Sequence, residues 1–546
     1  MSRRAAPKAN STVAEGEGTL VNAATWPRPT GMPAAEASAA KPSKRALAGL
    51  AGVLLAALMA GLNSRVASLA HADIRGALGL GLDDASWLTT AYSAGELIAM
   101  PFAAWFAITL SVRRFSLWTL GVCAAVAVVL PFLHNLHLLL TLRFLQGLAS
   151  GTLIPLLMMV ALKSLPPSVR LHGLALYALT ATFAPQLSTW LAGHWTDGWF
   201  DWRWVYWQIV PLAGIAASLV AWGLPREPIQ MGRFREGNWS GMACGVPGLG
   251  LIVVALDQGV RLDWFRSPLI TVSLVAGSVL FAVFLLTEWY HPTPFVKLQI
   301  LERRNLGLGF TLFLFLLVTL TSGSLLPAYY LGNAQDYRPL QVAPVALIVA
   351  LPQLILGSAV ALLLYQKWVD ARVVFAAGLA LIALACFSGM HLSSDWNRDQ
   401  FVIAQTLQAL GQPMAVVAML FLATSVVQPH EGPYVSGLIN TLRAFGSLGG
   451  VALVAQFMVV RKRFHAEMLL DHAARVAHTV PDALPPSQLM GIVGRQSLVM
   501  SVGDAYLVLG VLALLLIPMV LKLSYVPPPD TRAPSTTPPV PSPSQG

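Results

Sequence analysis

The stretch Leu142 to Pro155, LRFLQGLASGTLIP, holds an arginine and a glutamine three residues apart in an otherwise apolar run. On a helix that spacing places Arg143 and Gln146 on one face. A cation at the centre of a membrane helix costs about 2.5–3.5 kcal/mol on insertion scales, so it normally faces a polar cavity or an acidic partner. Glu96, in SWLTTAYSAGELIAMPFAAWF, and Arg65, in GLNSRVASLAHADIRGAL, are further charges inside apolar runs. Burial favours a protonated carboxyl and a nearby cation favours the ionised one, so Glu96 beside Arg65 or Arg143 has the chemistry of a proton carrier. The same three residues would also fit a fixed ion pair that only tethers helices.

Other polar groups stand in apolar surroundings: Asn63, Tyr92, Gln186, Gln408, Asn440 and Arg443. Together with Gln146 they are candidates for lining a substrate cavity. Gly147 and Gly151 form a small-residue stripe that lets a neighbouring helix approach closely. Pro155 and Pro185 would bend or loosen their helices. The three cysteines, Cys123, Cys244 and Cys386, form no spaced set. No disulfide framework, metal site or cofactor is implied.

The elements that must position these groups follow from composition. The 546-residue chain is 56% hydrophobic and 11% charged, against roughly 25% charged residues in soluble domains. It reads as an all-α integral membrane protein with about fourteen apolar runs, each near the ~20 residues a bilayer span requires. Lysines and arginines concentrate on alternate connections, among them Arg113 and Arg114, Lys163, Arg226, Arg303 and Arg304, and Arg372. Those connections are expected to be cytoplasmic, as are both termini. The net charge of +10 is thereby a topology signal, and nucleic-acid binding is not expected. Residues 1–45 and the Pro-rich stretch 526–546 read as disordered tails.

RFLQGLASGTLIP from Arg143 aligns without a gap on QTLQALGQPMAVV from Gln405. Gln146 meets Gln408, whereas Arg143 meets neutral Gln405. Duplicated bundles around a central site are a common transporter plan, and the asymmetry would place ion coupling in the first copy. There is no HExxH helix and no GxxxxGK[ST] phosphate loop, so an enzyme is not expected and an ion gradient would supply the energy. The stretch RKRFHAEMLLDHAARVAHTV, within residues 461–498, has apolar residues at helical spacing. It would form an amphipathic periplasmic helix lying on the membrane or touching an adaptor.

The arginine motif at Arg143, Gln146, Gly147, Gly151 and Pro155, then LDQGVRLDWF, PFVKLQILERRN and SGLINTLRAFGSLGG, occur in one order. With them the chain resembles the fourteen-span drug:proton antiporters of the major facilitator superfamily, in particular EmrB-type inner-membrane subunits of multidrug pumps. The resemblance implies a major facilitator fold. Residues 46–225 and 298–525 would form two six-helix bundles, and 226–297 a cytoplasmic linker with two extra transmembrane helices.

It further implies proton-coupled efflux of lipophilic compounds across the bacterial inner membrane, with a periplasmic adaptor (membrane fusion protein) and an outer-membrane channel as partners. The family's first-span aspartate is Asn63 here, and Ser188 and Thr189 stand for the glycine and proline of its fifth-span motif. These departures leave Glu96 as the best-placed membrane carboxylate of the first half. An exporter of one aromatic acid or metabolite is the alternative function, and a non-transporting receptor or scaffold a more distant one.

Overall fold

A computed structural model describes residues 44–165, 167–198, 201–428, 431–476 and 485–528. Most of the two tails expected at 1–45 and 526–546 lies outside them. The first bundle contains α1 (Lys44–Leu69), the short α2 (His71–Leu78), α3 (Leu82–Leu110), α4 (Val112–Val129), α5 (Leu136–Ser164), α6 (Pro167–Asp197), α7 (Trp204–Trp207) and α8 (Ile209–Gly223). Next come α9 (Trp239–Gln258) and α10 (Pro268–Tyr290). The second bundle contains α11 (Arg304–Ala334), α12 (Pro339–Leu364), α13 (Ala371–Gly389), α14 (Phe401–Thr424), α15 (Gly432–Val476) and α16 (Pro486–Leu521).

Among the described residues, thirteen helices are both long and apolar enough to cross a bilayer. With 31 residues α6 is long enough as well, but His172, Gln186, Ser188 and His194 dilute its apolar run. Its polar groups are turned into the protein, where Gln186 and Ser188 are buried. It completes the expected fourteen.

The bundles meet mainly where α6 packs along α12 and α3 packs against α15, while α9 and α10 pair with each other and α9 leans on α3. Within the first bundle α3 and α5 are in very close contact. A Cβ on Gly147 would lie 3.0 Å from the Tyr92 carbonyl carbon, and one on Gly151 2.8 Å from the Glu96 Cα. The glycine stripe thereby sets how near Glu96 is held to the helix that carries Arg143.

Prolines dictate where glutamines go. Pro327 has no N–H to offer the carbonyl of Gly323, one turn before it. Gln186 from α6 and Gln405 from α14 each donate to that oxygen at 3.1 Å. Pro413 likewise frees the Ala409 carbonyl, and Gln353 donates to it at 3.0 Å.

One set of helix ends carries Lys163, Arg303, Arg304 and Arg372. Here Lys163 pairs with Glu227, and Arg303 makes a two-pronged bond to the buried Glu431 at 2.7 and 2.8 Å. Burial alone would raise the Glu431 carboxyl, but the hydrogen bonds from Arg303 and the Gln428 amide outweigh it and hold the group below the usual range. We call this the termini end, because α1 starts and α16 stops there.

The segment expected as an amphipathic helix is part of a longer one. It is helical, but residues 461–476 continue α15 without interruption. No glycine or proline follows Gly450 within the helix to break it. Arg461 and His465 both bond Asp504 of α16 at 2.6 Å and tie the two helices side by side. At about 1.5 Å per residue the 45-residue α15 is roughly twice as long as the ~30 Å hydrocarbon core. Its far half must project with α16 beyond the end opposite the termini. Residues 477–484, between the two, lie outside the described residues.

Candidate functional site

A cavity of about 240 Å³ lies between the bundles and receives side chains from α1, α3, α5, α6, α9, α11 and α15. Its charged lining is Glu96 from α3, Asp257 from α9, Arg65 from α1, Arg143 from α5 and Arg443 from α15. With both carboxylates ionised that is three positive charges against two negative.

Each arginine has its own seat. Arg143 is 1% exposed. It donates to Gln146 at 2.8 Å and lies 4.5 Å from the Tyr92 ring centroid and 5.5 Å from that of Tyr206. Its Nε has no hydrogen-bond partner among the described residues. Faces of aromatic rings supply the negative potential that a buried guanidinium otherwise draws from water. Arg65 donates to Ser447 of α15 at 2.9 Å. Arg443 donates to both the hydroxyl and the carbonyl oxygen of Thr180 at 2.5 Å. Arg65 and Arg443 thus each join one bundle to the other. Glu96 accepts a hydrogen bond from Ser64, and no arginine stands within 4 Å of its carboxylate among the described ion pairs. The fixed Glu to Arg tether is therefore not what the geometry contains. The carboxylate faces three guanidinium groups across a cavity with room for water and commits to none.

On the termini side of the cavity the two bundles are bonded to each other. Ser436 Oγ donates to the Pro155 carbonyl at 2.5 Å, and Tyr177 donates to Asn440 at 2.9 Å. Gly437 lets α15 ride against α3, since a Cβ there would be 3.1 Å from the Pro101 carbonyl oxygen. On the other side the lining continues to Ser68, Thr89 and Asp257. At that end Arg338, which precedes α12, forms ion pairs with Asp73 of α2 and Asp197 of α6. The hydrogen bonds that Arg338 donates to Asp197 and then to Asp73 push the guanidinium pKa up.

Of the substrate-cavity candidates, Tyr92 and Arg443 line the cavity, as do the coupling candidates Glu96, Arg143 and Arg65 and the hinge candidate Pro185. The other five do not. Asn63 is buried against the Tyr92 hydroxyl at 3.3 Å. Gln146 is spent on Arg143 and on the Cys123 carbonyl. Gln186 caps the freed Gly323 carbonyl, Gln408 bonds Ser322 at 2.8 Å, and Asn440 joins Tyr177 to Ser436. In a membrane protein a polar group buried between helices is as often a bond across an interface as a cavity wall. Sequence reasoning missed Ser64, Ser447 and above all Asp257. The available signal was an aspartate one residue before the end of a span, inside LDQGVRLDWF.

Residues 53–451 match the sequence profile of the Major Facilitator Superfamily. The chain belongs to that superfamily. It is similar to the fatty acid resistance protein FarB of Neisseria gonorrhoeae, with 25% identity over 487 residues, 85% of this chain and 94% of FarB. It is also similar to the multidrug export protein EmrB of Escherichia coli, with 26% identity over 433 residues, 76% of this chain and 81% of EmrB. Two solved transporters share the fold. The proton:xylose symporter XylE gives a TM-score of 0.53 at 12% identity, covering 89% of this chain and 97% of the symporter. A POT family transporter in complex with 5-aminolevulinic acid gives 0.55 at 14%, covering 88% and 97%. At these identities the likeness is one of fold alone. The protein is thus a multi-pass membrane transporter of the superfamily, with its polar cavity at the junction of the two bundles.

Proposed function

We propose that the protein exports lipophilic or amphiphilic small molecules across the bacterial inner membrane in exchange for protons, by alternating access, with both termini in the cytoplasm. The observation that carries this reading is the unpaired Glu96 facing Arg65, Arg143 and Arg443. An ionised Glu96 attracts guanidinium groups on α1, α5 and α15 and favours drawing those helices onto α3. Protonation removes the attraction and lets the cavity widen, so proton binding is coupled to the shape of the cavity. The names of the relatives, a fatty acid resistance protein and multidrug export proteins, support outward movement of lipophilic cargo. Docking to a periplasmic adaptor and outer-membrane channel is part of the same proposal, and the projecting ends of α15 and α16 are the accessible element for it.

The surplus of arginine favours a second reading, export of one aromatic acid or metabolite. An anion would compete with ionised Glu96 for the guanidinium groups and so take up a proton on binding. A neutral amphiphile that draws the arginines onto Glu96 would release one. Purified protein in weakly buffered detergent, titrated with neutral N-phenyl-1-naphthylamine, anionic anilinonaphthalene sulfonate and cationic ethidium, separates these by the sign of the pH change. The proton signal should be present in the parent and absent in Glu96→Gln. A Glu96→Gln variant with the parent's signal would remove Glu96 as the coupling group, and ethidium as the tightest ligand would contradict the charge argument.

A further inference from the structure

The pair α9 and α10 stands outside both six-helix bundles, yet α9 places Asp257 in the wall of the central cavity. Asp257 accepts a hydrogen bond from the Thr90 hydroxyl of α3. Thr90 in turn accepts one from Gln258 at 2.5 Å, Gln258 accepts from Arg261 at 2.6 Å, and Arg261 pairs with Asp83 near the start of α3. This chain of bonds fastens the far end of α9 to α3 and fixes the Asp257 carboxylate against it.

Thr90 and Glu96 lie six residues apart on α3, about 9 Å along its axis. Between them Ser93 lines the cavity. The steps Thr90, Ser93 and Glu96 are each three residues, so the two hydroxyls and the carboxylate share one face. Asp257 therefore sits at the upper rung of a ladder of proton-carrying groups, nearer the end opposite the termini, with Glu96 at the bottom. Other charges face Asp257 from the elements around it. His71 of α2 is close enough to act on it, Arg65 of α1 and Arg443 of α15 lie across the cavity, and Asp83 is occupied by Arg261. From α10 the titratable groups are Glu288 and Tyr290, both at the termini end.

We propose that Asp257 is a proton relay between water at the end opposite the termini and Glu96, which makes the extra helix pair a working part of the transporter. A proton from that water binds an Asp257 oxygen. It then leaves along Thr90, Ser93 and intervening water, each oxygen accepting one proton and releasing another, until Glu96 is neutral and Asp257 ionised again. This inference rests on the proton-coupled reading above and adds the route.

The test uses the full chain in proteoliposomes with anilinonaphthalene sulfonate, whose sulfonate carries no proton of its own. Movement driven by a pH gradient is compared with exchange of the probe at equal pH, which needs no net proton transfer. Asp257→Asn should slow the gradient-driven rate by about 10²-fold or more relative to exchange measured on the same variant, the scale of losing one proton-transfer group. Asp257→Glu should restore the driven rate. Thr90→Val with Ser93→Ala should reproduce the defect with Asp257 intact, which keeps the proposal testable if Asp257→Asn fails to fold. A purely structural bond between α9 and α3 would lower both rates together, and that result, or a driven rate equal to the parent's in both sets of variants, would overturn the relay while leaving Glu96 untouched. A parent whose probe movement ignores the pH gradient would remove the proton-coupled reading and the relay with it.

Discussion

Gly151→Ala should injure transport more than its single added methyl suggests. The new Cβ would stand 2.8 Å from the Glu96 Cα and 2.9 Å from its carbonyl carbon, about 1 Å short of a normal carbon–carbon separation. Both obstacles are backbone, so no side chain can swing away, and α3 must move off α5 at the residue that carries Glu96. Overpacking of this kind costs about 1–3 kcal/mol. A displacement near 1 Å at a reacting group can lower a rate by about 10²-fold. The assay is thermal unfolding in detergent together with gradient-driven transport of anilinonaphthalene sulfonate. Gly121→Ala in α4 is the control: nothing lies within 4 Å of a Cβ there, and alanine gains about 0.8–1 kcal/mol in helix propensity. Gly151→Ala should lower Tm and the transport rate while Gly121→Ala lowers neither. If Gly151→Ala matches Gly121→Ala in both, the close approach of α3 and α5 is not what positions Glu96.

Two further outcomes follow from particular bonds. Gln186→Leu and Gln405→Leu each leave the Gly323 carbonyl one donor, whereas the double variant leaves it none. The double change should therefore exceed the sum of the singles by about 1–3 kcal/mol, read as a coupling in denaturant unfolding; strict additivity would mean that water reaches the kink of α11. Glu431 is held below the usual carboxylate range, so the unfolded chain binds its proton more readily than the folded one. Its stabilisation is fully present above about pH 4.3, the ordinary glutamate value, and is lost as pH falls through the lower folded-state value. Glu431→Gln should lower Tm at neutral pH and flatten the fall of Tm in acid, and an unchanged acid slope would show that Arg303 gives the carboxylate no net help.

The sequence alone determined that the chain crosses a membrane many times, that Arg143 and Gln146 share a helix face, and that Gly147 and Gly151 admit a close neighbour. Each of these depends on local spacing and on the cost of a bare charge in hydrocarbon, which act within a single helix. Arg65, Tyr92, Glu96, Arg143 and Arg443 were singled out on that ground, and they meet at one cavity. Only the tertiary structure decided the destinations of Asn63, Gln146, Gln186, Gln408 and Asn440. Lipid tails and packed leucines are equally apolar, so a membrane helix carries little periodicity to say which face looks inward. Whether an amide lines a cavity or serves a carbonyl freed by proline depends on a partner far along the chain, as Gln186 and Gly323 show. Asp257 was overlooked for the same reason: its position near the end of α9 reads as a loop boundary until the packing of α9 on α3 turns the carboxylate to Thr90. The length of α15 was decided locally by the absence of a glycine or proline after Gly450, but its direction away from the membrane surface was decided by Asp504, which holds Arg461 and His465 against α16.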